Sequence, residues 1–332
     1  MNVAISGFGR IGRTFLRTVL RDQAAQKKIN IVAINIGPGK LDCVAHMFKY
    51  DTLMGTYPGN VDMKDGDLFV DGHRIKIIAE PDPARINWCS MDVDWVVEAS
   101  GKFTKREGAQ LHLNAGARHV LITAPAHDED ISIIPGVNQD LFNKDTHKIV
   151  SLGSCTTNAF IPMLRVLHDA FTITQGCMTT VHAYTNSQVL LDVENKDLRF
   201  ARAAALNIIP ASTGASKMLG KVMPEIAEII SARAIRVPVG KCSLIDLTVM
   251  TKQAPTIATI HDAFNAAAQG HMKGILTLTM EPLVSSDFSG NSSSVTIDGL
   301  LTHAQGNMIK AFGWYDNEWG YSERLKDFLM KV

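Results

Sequence analysis

The sequence has no paired-cysteine motif, no net charge and no long apolar run. Its five cysteines, Cys43, Cys89, Cys155, Cys177 and Cys242, are odd in number, widely spaced and free of any C-x-x-C pair. That pattern argues against a disulfide framework or a zinc site and fits a reducing cytoplasm. The 33 basic residues are balanced by 33 acidic ones, so neither nucleic acid nor a membrane surface is an expected partner. No apolar stretch is long enough to span a bilayer. The N-terminus, Met1 to Ser6, lacks a basic region and a cleavage-like site, so no secretory signal is expected. Internal repeats and low-complexity segments are absent too.

What is present points to two domains. The chain has 332 residues, 46% of them hydrophobic, enough for two substantial cores. Residues 2–6 form an apolar strand, followed at once by Gly7-Phe-Gly9-Arg-Ile-Gly12 and an amphipathic run from Arg10. This is the strand–turn–helix setting that a dinucleotide-binding glycine motif requires. Gly7 allows the tight turn, Gly9 lets the backbone approach a pyrophosphate, and Gly12 lets the helix pack near the strand. The helix N-terminus, at Gly9, Arg10 and Ile11, is then the phosphate site.

The next strand, residues 30–35, would ordinarily end on an acidic residue that binds the adenosine ribose. Here it runs into Ile36-Gly37-Pro-Gly-Lys40 without a carboxylate. That removes a repulsion against a 2′-phosphate, while a loop variation in an NAD enzyme is the alternative. The choice between NAD and NADP stays open. Strands at 93–99 and 119–123 and a helix at 106–116 continue a parallel α/β alternation. Their carboxyl ends put Ile36, Gly37, Ser100 and Thr123 on one ligand crevice.

After residue 150 the rhythm changes. Strand-like runs at 173–184, 234–239, 243–251, 293–297 and 308–312, with a helix at 257–268, suggest a mostly antiparallel sheet with helices on one face. Residues 186–206 form a long charged stretch with little periodicity, which suits a functional or interface loop. Four aromatics lie between Trp314 and Tyr321, a pattern more usual for packing than for ligand contact.

Between the two regions lies Ser151-Leu-Gly-Ser-Cys-Thr-Thr-Asn158. It places Cys155 in the first turn of a helix, where free N–H groups and the helix dipole favour a thiolate. Taken alone, the segment is equally readable as a buried structural thiol.

Together the motifs resemble the phosphorylating glyceraldehyde-3-phosphate dehydrogenases over essentially the whole chain. Those motifs are Gly7 to Arg13, Lys49 to Thr52, Ser154 to Asn158, Asn207 to Pro210, Ser212 to Gly214, Arg236 to Pro238 and Trp314 to Tyr321. The resemblance implies a Rossmann domain at 1–150, an α+β catalytic domain with a mostly antiparallel sheet at 151–315, and a C-terminal segment, 316–332, returning to the cofactor domain. It also implies an NAD(P)-dependent oxidation of glyceraldehyde 3-phosphate with inorganic phosphate, in a cytoplasmic homotetramer.

Carried over by motif, Cys155 is the nucleophile and His182 the base, which as imidazolium would also stabilise the thiolate. Thr185 and Arg236 resemble the substrate-phosphate site. Ser154, Thr156, Thr213 and Gly214 resemble the inorganic-phosphate site, and Arg199 is a further phosphate candidate. Asn317 would hold the nicotinamide carboxamide. Ser6 and Phe200 depart from the family's usual Asn and Arg. An erythrose 4-phosphate enzyme, a Cys/His hydrolase and a non-catalytic scaffold are the competing readings. His182-Ala-Tyr-Thr185 with Ser212-Thr-Gly214, the dinucleotide motif, and the intact Cys155, His182 and Arg236 argue against them in turn.

Overall fold

A computed structural model describes residues 1–332, which divide into two compact units. The first comprises Met1–Ile133, Asp140–Gly153 and Ser322–Val332; the second comprises Ile134–Gln139 and Ser154–Tyr321. The segment 316–332 is therefore itself divided between Tyr321 and Ser322.

In chain order the first unit contains β1 (Asn2–Ser6), α1 (Arg10–Arg21), α2 (Gln23–Lys28), β2 (Asn30–Asn35), α3 (Val44–Lys49), β3 (Val61–Lys64), β4 (Asp67–Val70), β5 (His73–Ile78), β6 (Trp95–Glu98), α4 (Arg106–Asn114), β7 (His119–Ile122), β8 (Ile131–Ser132) and β9 (Ile149–Ser151). They build a nine-stranded sheet in the order β3-β4-β5-β2-β1-β6-β7-β9-β8. The strands from β5 to β8 pair in parallel. Every residue of β6 and β7 is buried, as expected of parallel strands covered on both faces.

The β3–β4–β5 meander at the edge is antiparallel and has no counterpart in the sequence reading. Its turns are Asp65-Gly66 and Asp71-Gly72, all four residues at positive φ. An Asp-Gly pair readily supplies the two left-handed positions of a tight hairpin.

The second unit contains α5 (Cys155–Phe171), β10 (Ile173–Ala183), β11 (Ile209–Ala211), α6 (Ala215–Val222), α7 (Pro224–Ala227), β12 (Ile230–Val237), β13 (Ser243–Thr251), α8 (Ile257–Gln269), β14 (Leu276–Thr279), β15 (Val295–Asp298), β16 (His303–Gln305), β17 (Met308–Tyr315) and the start of α9 (Trp319–Lys331). The sheet runs β11-β12-β10-β13-β17-β15-β14, with β16 on β17. It is mostly antiparallel; β10 with β12 and β14 with β15 are the parallel pairs. Burial alternates residue by residue along β13 and β17. One face packs on α5 and α8, where Phe160, Leu164 and Phe264 meet Ile245, Leu247 and Ile309. The alternation is the period-two signature of a sheet buried on one side.

No helix is long and apolar enough to cross a membrane. The residues of α9 from Ser322 onward complete the first unit. Lys326 pairs with Asp22 at 2.8 Å, Lys28 Nζ donates to the Met330 carbonyl, and Phe328 packs edge-on against Trp95 and Phe142.

Candidate active site

In the first unit the turn after β1 is locked by close backbone packing. Gly7 has φ +96°, and a Cβ there would sit 2.4 Å from the Ser100 nitrogen. A Cβ on Gly12 would sit 2.2 Å from the Gly7 carbonyl oxygen. Only glycine fits either position. Gly9 caps α1 without a side-chain bond, and no acidic residue lies in the first turn. The N-terminal end of the α1 dipole therefore suits an anion.

This turn borders a cavity of about 470 Å³. Gly7, Gly9, Arg13, Ile36, Gly37 and Ser100 are among its walls, whereas Arg10, Ile11 and Thr123 are not. The Arg10 guanidinium turns to Asp51. The Thr123 hydroxyl donates to the Glu98 carbonyl. The glycine cradle and helix N-terminus fit a dinucleotide.

Neutral Asn35 ends β2 where an acid is usual. Its Oδ1 accepts from Gly37 N and Glu80 N, and its Nδ2 donates to the Glu80 carbonyl. That bracket draws in Glu80, so the cavity wall carries one carboxylate after all, opposed by Lys40 and Lys102. Sequence reading missed Glu80 because it enters from the loop after β5, far along the chain.

In the second unit Ser154 caps α5. Its hydroxyl accepts from Thr157 N, and the Thr157 hydroxyl is bonded to Ser154 N in return. The cap holds Cys155 at the first helical position, with Sγ 3.5 Å from His182 Nε2. His182 is supplied by β10, in register with Arg236 on β12, and Arg236 is in register with Ile209 on β11. Three strands thus bring His182, Arg236 and Ile209 into adjacent rows, with Thr213 and Gly214 just beyond the end of β11.

His182 Nδ1 lies 2.6 Å from both the Ala183 carbonyl oxygen and Arg236 Nη1. A proton on Nδ1 is donated to Ala183 and leaves the Nε2 lone pair facing sulfur; a proton on Nε2 lets Nδ1 accept from Arg236.

Burial changes the charge expected of the pair. It pushes the Cys155 thiol up, against Arg236, the Thr156 hydroxyl and N–H, and Cys155's own N–H, which pull it down. Burial and then Arg236 lower His182 to about 4. The imidazolium expected to stabilise the thiolate is therefore disfavoured by burial and by Arg236. Its place as the nearby cation is taken by Arg236, which cannot lose its charge.

Other candidates fall out differently. Thr156 is buried, and its hydroxyl meets Tyr315 OH at 3.1 Å, so it is turned from solvent toward the core. Thr213 Oγ1 accepts from Ala215 N, which makes it a helix cap as well as a candidate donor. Thr185 is half-buried beside Ser187. Arg199 is exposed on the 186–208 stretch, with its backbone bonds kept within that stretch.

Asn317 is buried, and its Oδ1 accepts from Cys242 N and Ser243 Oγ. The Tyr315 hydroxyl, missed from sequence, also contacts Thr180 at 2.8 Å, and its ring packs edge-on to His182. Alternating burial along β17 marks it as inward-facing. Its neighbour Trp314 is packing, stacked on Phe288.

Two family models match the chain. The glyceraldehyde 3-phosphate dehydrogenase NAD binding domain covers residues 1–106, and the C-terminal domain of the same family covers 154–317. A glyceraldehyde-3-phosphate dehydrogenase of Streptomyces coelicolor is 47% identical over 100% of this chain and 98% of its own length. Glyceraldehyde-3-phosphate dehydrogenase 1 of Bacillus cereus and the enzyme of Geobacillus stearothermophilus are each 45% identical, over 98% of this chain and 96% of their own. The chain therefore belongs to the glyceraldehyde-3-phosphate dehydrogenase family, NAD-dependent oxidoreductases that act on an aldehyde.

Proposed function

We propose that this chain oxidises D-glyceraldehyde 3-phosphate, with inorganic phosphate, to 1,3-bisphosphoglycerate through a thioester on Cys155. The observation that carries this reading is the capped thiol of Cys155 with His182 Nε2 3.5 Å away and Arg236 against the same imidazole. An aldehyde carbon bears no electron-donating alkoxide, so it does not release hydride directly. Attack by Cys155 sulfur makes a hemithioacetal, and His182 Nε2 takes the proton of its hydroxyl. The dinucleotide, when bound, accepts the hydride. The resulting thioester keeps enough acyl energy for phosphate to attack the carbonyl, expel the Cys155 thiolate and leave as an acyl phosphate.

Two anions must be held. Arg236 and Thr185 are assigned to the substrate phosphate, with a guanidinium suited to bidentate contact. Ser154, Thr213, Gly214 and the Thr156 N–H are assigned to inorganic phosphate, with Arg199 in support. Asn317 is assigned to the nicotinamide carboxamide. With its oxygen already accepting from Cys242 and Ser243, its amide N–H groups remain to donate.

Both NAD and NADP are inferred to enter the pocket. Neutral Asn35 and the two lysines tolerate a 2′-phosphate, while Glu80 favours a free hydroxyl. A steady-state assay tests both points. Turnover is expected to need phosphate beyond a first burst, with activity on either cofactor. Sustained turnover without phosphate rejects the acyl-phosphate route, and no rate with NADP rejects dual use.

A homotetramer in the cytoplasm completes the reading. Leu190, Leu191, Leu198, Leu206 and Ile208 are each at least 70% exposed on one stretch, a concentration of apolar surface that suits burial against another copy. A monomer by light scattering rejects it.

A further inference from the structure

One group of buried ionisable residues in the first unit has no part in the chemistry above. Glu98, at the end of β6, is 1% exposed, and His112 on α4 and Trp88 are fully buried. Trp88 Nε1–H donates to His112 Nδ1 at 3.2 Å. Indole is a donor only, so this contact fixes Nδ1 as an acceptor and puts the ring proton on Nε2. Nε2–H then donates to Glu98 Oε2 at 3.0 Å. The other carboxylate oxygen accepts from Ser100 N at 2.8 Å and from the Ser100 hydroxyl. Every proton in this chain has one direction, inward to the carboxylate.

The chain ends at the cavity wall. Ser100 lines the cavity, as does Phe103, whose ring packs edge-on against His112. The Ser100 oxygen accepts one bond from Lys102 N at 3.1 Å. Its proton is committed to Glu98, so its remaining lone pair is what it can offer a ligand. The Gly7 turn is packed against the Ala99–Ser100 backbone, so the wall cannot easily re-form around a different hydroxyl rotamer.

We propose that Glu98, aimed by Trp88 and His112, is a positioning residue for cofactor binding: it takes the Ser100 proton and presents Ser100 Oγ as an acceptor for a sugar hydroxyl of the dinucleotide. This rests on reading the cavity as the dinucleotide site. It gives the buried carboxylate a role in recognition, and it makes Ser100 a reader of donors that would repel a phosphate oxygen.

Glu98→Gln preserves volume but brings an amide N–H₂ against one of two fixed donors, His112 Nε2–H or Ser100 N–H. NAD affinity, measured by titration calorimetry on the purified enzyme, is expected to fall about tenfold, equivalent to about 1.4 kcal/mol. The KM for NAD should rise equally, while the KM for glyceraldehyde 3-phosphate and the kcat at saturating NAD stay within about twofold. Ser100→Ala is expected to weaken NAD by a similar factor. Because both changes remove one interaction, the double variant should be no more than about twofold weaker than Ser100→Ala alone. Should Glu98→Gln not yield folded protein, Trp88→Phe frees the His112 tautomer and is expected to show the same non-additivity at about threefold. Full NAD affinity in Ser100→Ala, or additive losses, overturns the proposal. A wild-type enzyme that binds no NAD overturns it together with the reading of the cavity.

Discussion

Cys155→Ala is expected to abolish aldehyde oxidation, lowering kcat by about 10⁴-fold or more. The proposed route has no step without sulfur: no hemithioacetal forms, so no alkoxide drives hydride loss, and no thioester remains for phosphate. The loss should be chemical, because the substitution leaves the fold intact. The first turn of α5 is held by Ser154 and Thr157 rather than by the thiol, and alanine is a good helix former. NAD affinity and melting temperature are therefore expected to stay near wild type while turnover disappears. No other cysteine is suited to substitute. Cys242 is buried, with its thiol pushed up to about 12, mainly by burial, and Cys43, Cys89 and Cys177 are exposed residues outside the Cys155–His182–Arg236 cluster. Turnover above about one per cent of wild type would mean that the nucleophile is misassigned.

His182→Asn is expected to lower kcat by about 10²- to 10³-fold, the usual range for losing a general base. Asparagine can still donate to the Ala183 carbonyl, so the packing around β10 should survive. The pH behaviour separates this role from an ion pair. The imidazole lies below its ordinary 6.5, at about 4, through burial and then Arg236. It is thus neutral and able to accept a proton throughout the neutral range, and it loses that ability only as pH falls toward its lowered value. The acid limb of kcat should accordingly lie below pH 6.5 and be absent from His182→Asn.

The thiol, raised by burial, should react with iodoacetamide faster as pH rises through neutrality. Removal of His182 should alter that rate at pH 7 by no more than about threefold, because the positive charge beside sulfur belongs to Arg236. A loss of tenfold or more would restore the thiolate–imidazolium pair to the resting enzyme.

Strands that are buried on both faces or alternate cleanly were readable from sequence. The spans 2–6, 30–35 and 243–251 match β1, β2 and β13, because apolar content and period leave little choice there. The β3–β5 meander was missed, since its strands are short and polar on one face. Its two Asp-Gly turns were the available signal. In the candidate site, the motifs nominate Cys155 and His182, which the fold brings to 3.5 Å, but the electrostatics around them could not be read. Arg236 acts on His182 through strand register, and no local pattern records which residue of β12 lies beside which residue of β10. Glu80 and Glu98 were invisible for the same reason. Each matters because of what a distant backbone or ring donates to it, as Asn35 and His112 do.

The last turns of α9 carry a consequence for biosynthesis. Lys326, Phe328 and Met330 finish the packing of the first unit against Asp22, Trp95 and Lys28. A nascent chain therefore emerges with nearly all of that unit's sheet but without the helix that covers Trp95. The part of the first unit that precedes Ser154 must wait, incompletely packed, while Ser154–Tyr321 is translated, and it closes only once the residues from Ser322 onward have emerged. Folding of the first unit is thus tied to contacts 302 and 304 residues apart in sequence, a slow kind of contact to form. A chain cut before Lys326 lacks all three contacts and leaves the first core open and prone to aggregate.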